Sequence, residues 1–229
     1  MPRVWLVTGE KGGIGKSLFA MTLSCFLQGK KRRVAVLDFD FRNADVVAGD
    51  LKIRINLNQS VNLSVGEYED LKMLEPSTEV VINTPGIFLD PAIQNRHDTA
   101  LRVALGSRQL ILCWLFAGDQ ESGQALAVYL KRFSSWNPKV ALVYSHNSLV
   151  FKGQYFIPDC LNNREFVKIN VLQSEGDMVR SFIASRVGFE KIKDLIKSEN
   201  FYDQIVGLEM ENFFVTMLSR LEETLKEWI

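Results

Sequence analysis

Cysteine is scarce in this chain: Cys25, Cys113 and Cys160 are the only three among 229 residues. They lie far apart, form no C-x-x-C and are odd in number, which argues against a disulfide framework and for a reduced, cytoplasmic setting. Histidine is scarcer still. His97 and His146 are too distant in sequence to suggest a metal pair, and each reads as a solvated or loop histidine. A bias toward one sign of charge is also missing, since 27 Lys plus Arg balance 27 Asp plus Glu. No overall field therefore drives the chain onto nucleic acid or anionic lipid, and any such contact has to be local. No apolar run is long enough to span a bilayer. The N-terminal residues also lack the charged, apolar and small-residue regions of a secretory leader, so a soluble protein is expected. With no internal repeat, low-complexity tract or Pro/Gly/Ser linker, one domain over residues 1–229 is the expectation.

What the chain does contain is enough apolar sequence, 47% against 24% charged, for one sizeable α/β core. "VWLVT" breaks on glycines and runs into "SLFAMTLSCFLQ", whose apolar residues follow a helical period: strand, glycine loop, helix. "GKKRR" closes that helix. "VAVLDFD", "EVVINTPG", "QLILCWLF", "KVALVYS" and "FVKINVL" are apolar at nearly every position, as parallel strands covered on both faces are. Amphipathic stretches near residues 90–106, 119–133, 175–186 and 188–198 fall between or after them. Alternation of this kind predicts an α/β fold with a doubly wound, mostly parallel sheet flanked by helices. Residues 50–75, rich in Asn, Ser and charge, read as a surface excursion.

Ligands of such sheets bind at the carboxyl ends of the strands, and the distinctive residues collect there. "TGEKGGIGKS" (Thr8 to Ser17) has the look of a phosphate loop, yet the strict pattern G-x-x-x-x-G-K-S/T needs glycine where Glu10 stands, and a second lysine, Lys11, lies inside it. In a phosphate loop Lys16 reaches the β- and γ-phosphates, Ser17 offers a hydroxyl to Mg²⁺, and Gly12, Gly13 and Gly15 let backbone N–H groups approach closely. The next strand ends in "LDFDFRNADV". We expect Asp38 and Asp40, two residues apart, to do different work, one near the metal and one near the attacking water.

"KGGIGKS" after a strand, followed one helix later by "VAVLDFDFRNADV", resembles the ParA/MinD family of deviant Walker A ATPases, in the small plasmid partition-type form. The resemblance implies a P-loop fold that binds ATP with Mg²⁺ and forms a homodimer around the nucleotide. By the same resemblance Lys11, Gly12, Gly13, Ile14, Gly15, Lys16, Ser17 and Leu18 hold the nucleotide, and Ser17 and Asp38 serve the metal. Lys11, Lys16 and Asp40 become the catalytic residues: Lys16 in its own subunit, Lys11 across the dimer, Asp40 on the hydrolytic water. Fixed cations of this sort neutralise a loose transition state as an arginine finger does. "LVYSHNS" resembles the segment that meets the adenine, with Asn147 either reading the base edge or merely turning a loop. The three cysteines match no iron–sulfur pattern of the family's relatives.

Two departures stand out. In "VVINTPG" Asn83 occupies the place of the Walker B aspartate; an amide accepts a hydrogen bond but brings no charge to Mg²⁺, so weaker metal affinity or slower turnover is expected. Only 42 residues separate Asp40 from Asn83, fewer than the family usually carries. In "ENFFVTMLSRLEETLKEWI" the residues Phe214, Met217, Leu218, Leu221, Leu225 and Trp228 share a helical face, but the polar face is acidic, which favours docking on the sheet over a membrane surface. For DNA the candidates are Lys30 to Arg33, Arg180, Arg186 and the helical trio Lys191, Lys193 and Lys197, against the plain alternative of a solvated face. The chain begins at its first strand, so an N-terminal helix-turn-helix extension is not expected. Three functions remain open: DNA partition with a DNA-binding adaptor, which would bring the protein to the nucleoid; MinD-like, conjugation or secretion cargo positioning; or an ATP-dependent dimer switch that scarcely hydrolyses.

Overall fold

Residues 1–39, 49–55, 63–85, 91–144, 157–170 and 190–229 are described in a computed structural model of the chain. Among these residues seven strands form one sheet in the order β3-β2-β4-β1-β5-β6-β7, and the pairings between them are parallel. They are β1 (Arg3–Thr8), β2 (Val34–Asp38), β3 (Leu51–Arg54), β4 (Glu79–Asn83), β5 (Gln109–Phe116), β6 (Lys139–Tyr144) and β7 (Phe166–Asn170). The helices are α1 (Lys16–Gly29), α2 (Val65–Lys72), α3 (Pro91–Leu105), α4 (Gln120–Arg132), α5 (Glu190–Ile196) and α6 (Phe201–Leu225).

Alternation along each strand sends neighbouring side chains to opposite faces, so a continuous apolar run feeds two cores at once. Trp5, Val7, Val36, Val81 and Cys113 pack with α1 and α6 on one face. Val4, Leu6, Leu37, Ile82 and Trp114 pack with α3 and α4 on the other. Cys113 is a buried small hydrophobe, as its apolar neighbours imply, and burial pushes its thiol far up. The apolar face of α6 lies on the core: Phe214, Met217, Leu221 and Leu225 are each at most 1% exposed, and Trp228 beyond the helix is buried too. Among the described residues no helix is long and apolar enough to cross a membrane.

Within residues 50–75, the described parts include a strand and a helix rather than the surface excursion that their polarity suggests. Leu51–Arg54 forms the edge strand β3, in register with β2 from Ala35↔Leu51 to Asp38↔Arg54. Val65–Lys72 forms α2, started by a capping box in which Ser64 and Glu67 exchange hydrogen bonds. An edge strand needs apolar residues on few positions, and α2 buries only Leu71, so neither shows a strong apolar period. The expected helix at 175–186 lies outside the described residues.

His97 is likewise neither solvated nor in a loop. It sits fully buried on α3, edge-on to Phe39 at 5.4 Å and stacked over Phe133 at 6.4 Å. Burial lowers its pKa, partly opposed by Asp98 at 3.2 Å, which Arg132 also engages. The unfolded chain therefore takes up a proton near the ordinary value of about 6.5 while the folded chain does not. The stability this neutral ring confers is present above that pH and is lost as pH falls below it, at up to about 1.4 kcal/mol per pH unit. Melting curves between neutral and mildly acidic pH are expected to show this loss, and His97→Phe, which keeps the aromatic contacts, is expected to remove the histidine part of it.

Candidate functional site

The middle of the sheet positions the site. Register sets Asn83 beside Val7 on one side and beside Asp38 on the other. The carboxyl ends of β1, β2 and β4 thus finish in one row, below the loop that leaves β1. That loop runs close against β5: a Cβ on Gly9 would lie 2.7 Å from the Leu115 carbonyl oxygen. It ends at Gly15, which takes the left-handed conformation (φ 98°) as the N-cap of α1. Glycine offers no side chain to the first N–H groups of the helix, and no acidic residue stands in its first turn. The positive end of the α1 dipole therefore faces the loop, the arrangement that binds phosphate.

The loop residues divide by environment. Gly12 and Gly13 are exposed, whereas Ile14 is 1% exposed and Leu18 packs partly buried against the same core. A ligand in the loop meets Ile14 through its backbone. Lys16 is buried and turns back across the loop, its Nζ donating to the Lys11 carbonyl at 2.6 Å. Lys11 turns the other way and forms an ion pair with Asp119, the N-cap of α4. The hydrogen bond from Lys11 to Asp119 is the main reason that its pKa is raised.

Glu10 also reaches α4. Its Oε2 accepts from the Ser122 hydroxyl at 2.9 Å, while Asp119 Oδ1 accepts from the Ser122 N–H at 2.9 Å. Burial raises the Glu10 pKa, with the Ser122 hydrogen bond acting against it. The Glu10-Lys11 dipeptide is thus fastened at two points to the first turn of α4. Neither Asp119 nor Ser122 is evident from sequence, because a separation of 108 or 112 residues leaves no local pattern.

Ser17, Asp38 and Asn83 meet beneath the loop. The Asn83 side-chain nitrogen donates to Asp38 Oδ1 at 3.0 Å and to Ser17 Oγ at 3.3 Å. Asp38 and Asn83 are both 0% exposed. Ser17 and Asp38 offer the hard oxygen atoms that Mg²⁺ takes alongside phosphates, so the pair fits that ion with one carboxylate. Among the described residues no group of three or more His, Cys, Asp or Glu could hold a metal on its own. Asp40, His146 and Asn147 lie outside the described residues, so their expected roles have no geometry here.

Of the basic candidates, Lys30 pairs with Glu222, Arg33 pairs with Glu75, and Arg32 donates to the Ile229 carbonyl at 2.9 Å. Lys30 to Arg33 are all exposed, and three of the four are held in surface contacts within the fold. Lys193 and Lys197 are exposed, with Asp194 and Glu199 exposed near them. Arg180, Arg186 and the Lys191 side chain lie outside the described residues.

A glycine loop between the central strand and a helix with no side-chain cap, closed by Lys16-Ser17 with Asp38 on β2, one strand beyond β4, defines a P-loop nucleotide-binding protein. Residues 5–226 match the family model described as the CobQ/CobB/MinD/ParA nucleotide binding domain, and the chain belongs to this family. It is 31% identical over 157 residues to the septum site-determining protein MinD of Buchnera aphidicola subsp. Baizongia pistaciae, a match that covers 62% of this chain and 56% of that one. The match therefore spans little more than half the length of that relative. MinD of Pyrococcus horikoshii OT3, solved in complex with Mg-ADP, shares the fold with a TM-score of 0.51 at 14% identity, over 94% of this chain and 98% of that one. The MinD cell division protein of Aquifex aeolicus also gives 0.51 at 14% identity, over 93% and 97%.

Proposed function

We propose that the chain is an ATP-dependent, dimerising ATPase that positions or segregates DNA together with a DNA-binding adaptor protein. The observation that carries the reading is the opposite orientation of the two loop lysines. Lys16 is turned across its own loop, whereas Lys11 is turned outward to Asp119. In this reading Lys16, the loop N–H groups from Gly12 to Leu18 and the α1 dipole hold the phosphates. Lys11 leaves Asp119 to meet the nucleotide of a second copy. Asp40 orients the hydrolytic water, and Asn147 meets the base. Mg²⁺ held near Ser17 and Asp38 would neutralise charge on the β- and γ-phosphates. With Asn83 in place of an acid, hydrolysis is slow.

Lipid is the less suitable cargo surface. The apolar face of α6 is spent on the core, and its outward face carries Glu209, Glu211, Glu222 and Glu223. For DNA, Lys193 and Lys197 are exposed, and Lys191 joins them by sequence. A MinD-like role in positioning protein cargo is the second reading, favoured by the identity to MinD. The two separate on one assay. DNA retention that requires ATP, weakens with salt and drops at least about tenfold in a Lys191/Lys193/Lys197 charge reversal is the expected result. Retention indifferent to ATP and to those lysines, with flotation on anionic vesicles instead, would overturn the DNA reading.

A further inference from the structure

We infer that Asn83 takes over from the divalent cation the task of holding Ser17 and Asp38 in place, so that this chain binds nucleotide with little dependence on Mg²⁺. The inference rests on the reading of this loop as a nucleotide site. Sheet register alone places position 83 against Asp38, and both side chains are cut off from solvent. An aspartate at 83 would set two carboxylates side by side at the 3.0 Å now spanned by a hydrogen bond. Like charges so close in a dry site do not both stay ionised unless a proton or a cation comes between them. Such a site is assembled by its metal.

Asparagine has the same shape and inverts the situation. Its amide nitrogen carries two hydrogens, and the structure presents two acceptors to it, Asp38 Oδ1 and Ser17 Oγ. The assignment of nitrogen to this side follows from the chemistry, since the opposite flip would aim the amide oxygen at a carboxylate. The other amide atom, Oδ1, is buried with no hydrogen-bond partner among the described residues. The Asp38 carboxylate and the Ser17 hydroxyl are thus held without any ion. A cation arriving at Asp38 Oδ1 and Ser17 Oγ would compete with the Asn83 hydrogen bonds already made there, and it would gain a single negative charge for doing so. Phosphate binding then falls to Lys16 and the helix N-terminus, neither of which needs the metal.

Equilibrium binding of a fluorescent ATP analogue, measured in Mg²⁺ and in EDTA, tests this on the full chain. The wild-type Kd is expected to differ less than about threefold between the two buffers, and that of Asn83→Asp by about tenfold or more. Melting curves with Mg²⁺ alone, without nucleotide, give a second arm. The wild type is expected not to respond, whereas Asn83→Asp is expected to melt at least about 2 °C higher with the ion. Should Asn83→Asp not fold, Asn83→Ala, which frees both oxygens, is expected to gain a response to Mg²⁺ in the same assays. A wild type that loses nucleotide about tenfold in EDTA, or that Mg²⁺ alone stabilises as much as it does the variants, overturns the inference and leaves the ATPase reading intact. Failure to bind the analogue in either buffer would instead overturn the nucleotide site, while the Mg²⁺-only melts still decide the role of Asn83.

Discussion

Lys11→Ala is expected to leave ATP binding nearly unchanged, to abolish the ATP-dependent dimer and to lower phosphate release by about 10³-fold or more, the range an arginine finger supplies. The loop shows why the effects should separate. Lys16 is buried and folded over the loop, and the helix end behind it needs no other cation. The Lys11 ammonium points away from that enclosure, to Asp119, and its side chain remains 23% exposed. Its loss therefore removes little from the site in its own subunit. Light scattering of the eluting species with and without ATP, beside a phosphate-release assay, reads both effects. Lys11→Ala dimers that persist and hydrolyse normally would reduce the loop to an ordinary phosphate cradle.

Phe214→Ala is expected to destabilise the fold by about 3–5 kcal/mol. The ring is 0% exposed and meets Phe213 edge-on at 5.6 Å, in the core that α6 shares with α1 and the sheet. Its removal leaves a cavity between packed elements, with little local freedom to close it. Val215, one residue on, is 55% exposed, and Val215→Ala is expected to change stability by no more than about 0.5 kcal/mol. Urea unfolding of both variants measures the contrast. Equal, small effects would mean that α6 does not rest on the core in solution, and its apolar face would again be available to a lipid surface.

The legible part of the fold was the part in which burial is two-sided. β1, β2, β4, β5 and β6 read as strands because covering both faces of a parallel sheet demands apolar residues at consecutive positions, while the edge strand β7 reads as one from Phe166, Val167 and Ile169 alone. β3 and α2 were missed because an edge strand and a helix with one buried residue make no such demand. His97 was misjudged for a related reason: one titratable residue carries no periodic signal, and its neutral, aromatic-lined surroundings arise only when α3 packs over Phe39 and Phe133. In the site, the glycine loop and the place of Asn83 were visible as motifs. What Asn83 does was not, since its two acceptors come from α1 and β2 and converge only through sheet register. The tie of Glu10 and Lys11 to α4 was hidden by the same long-range geometry.

The order of strands also dictates when the site comes into being during synthesis. β1 and its loop leave the ribosome first, but β1 is the central strand, and its neighbours β4 and β5 follow only at Glu79–Asn83 and Gln109–Phe116. Asp38 and Ser17 wait for Asn83, and Lys11 waits for Asp119. More than half of the chain has to be made before the glycine loop has walls. Until then the most distinctive stretch of the sequence is an unsupported tail, and nucleotide cannot act as an early template for folding.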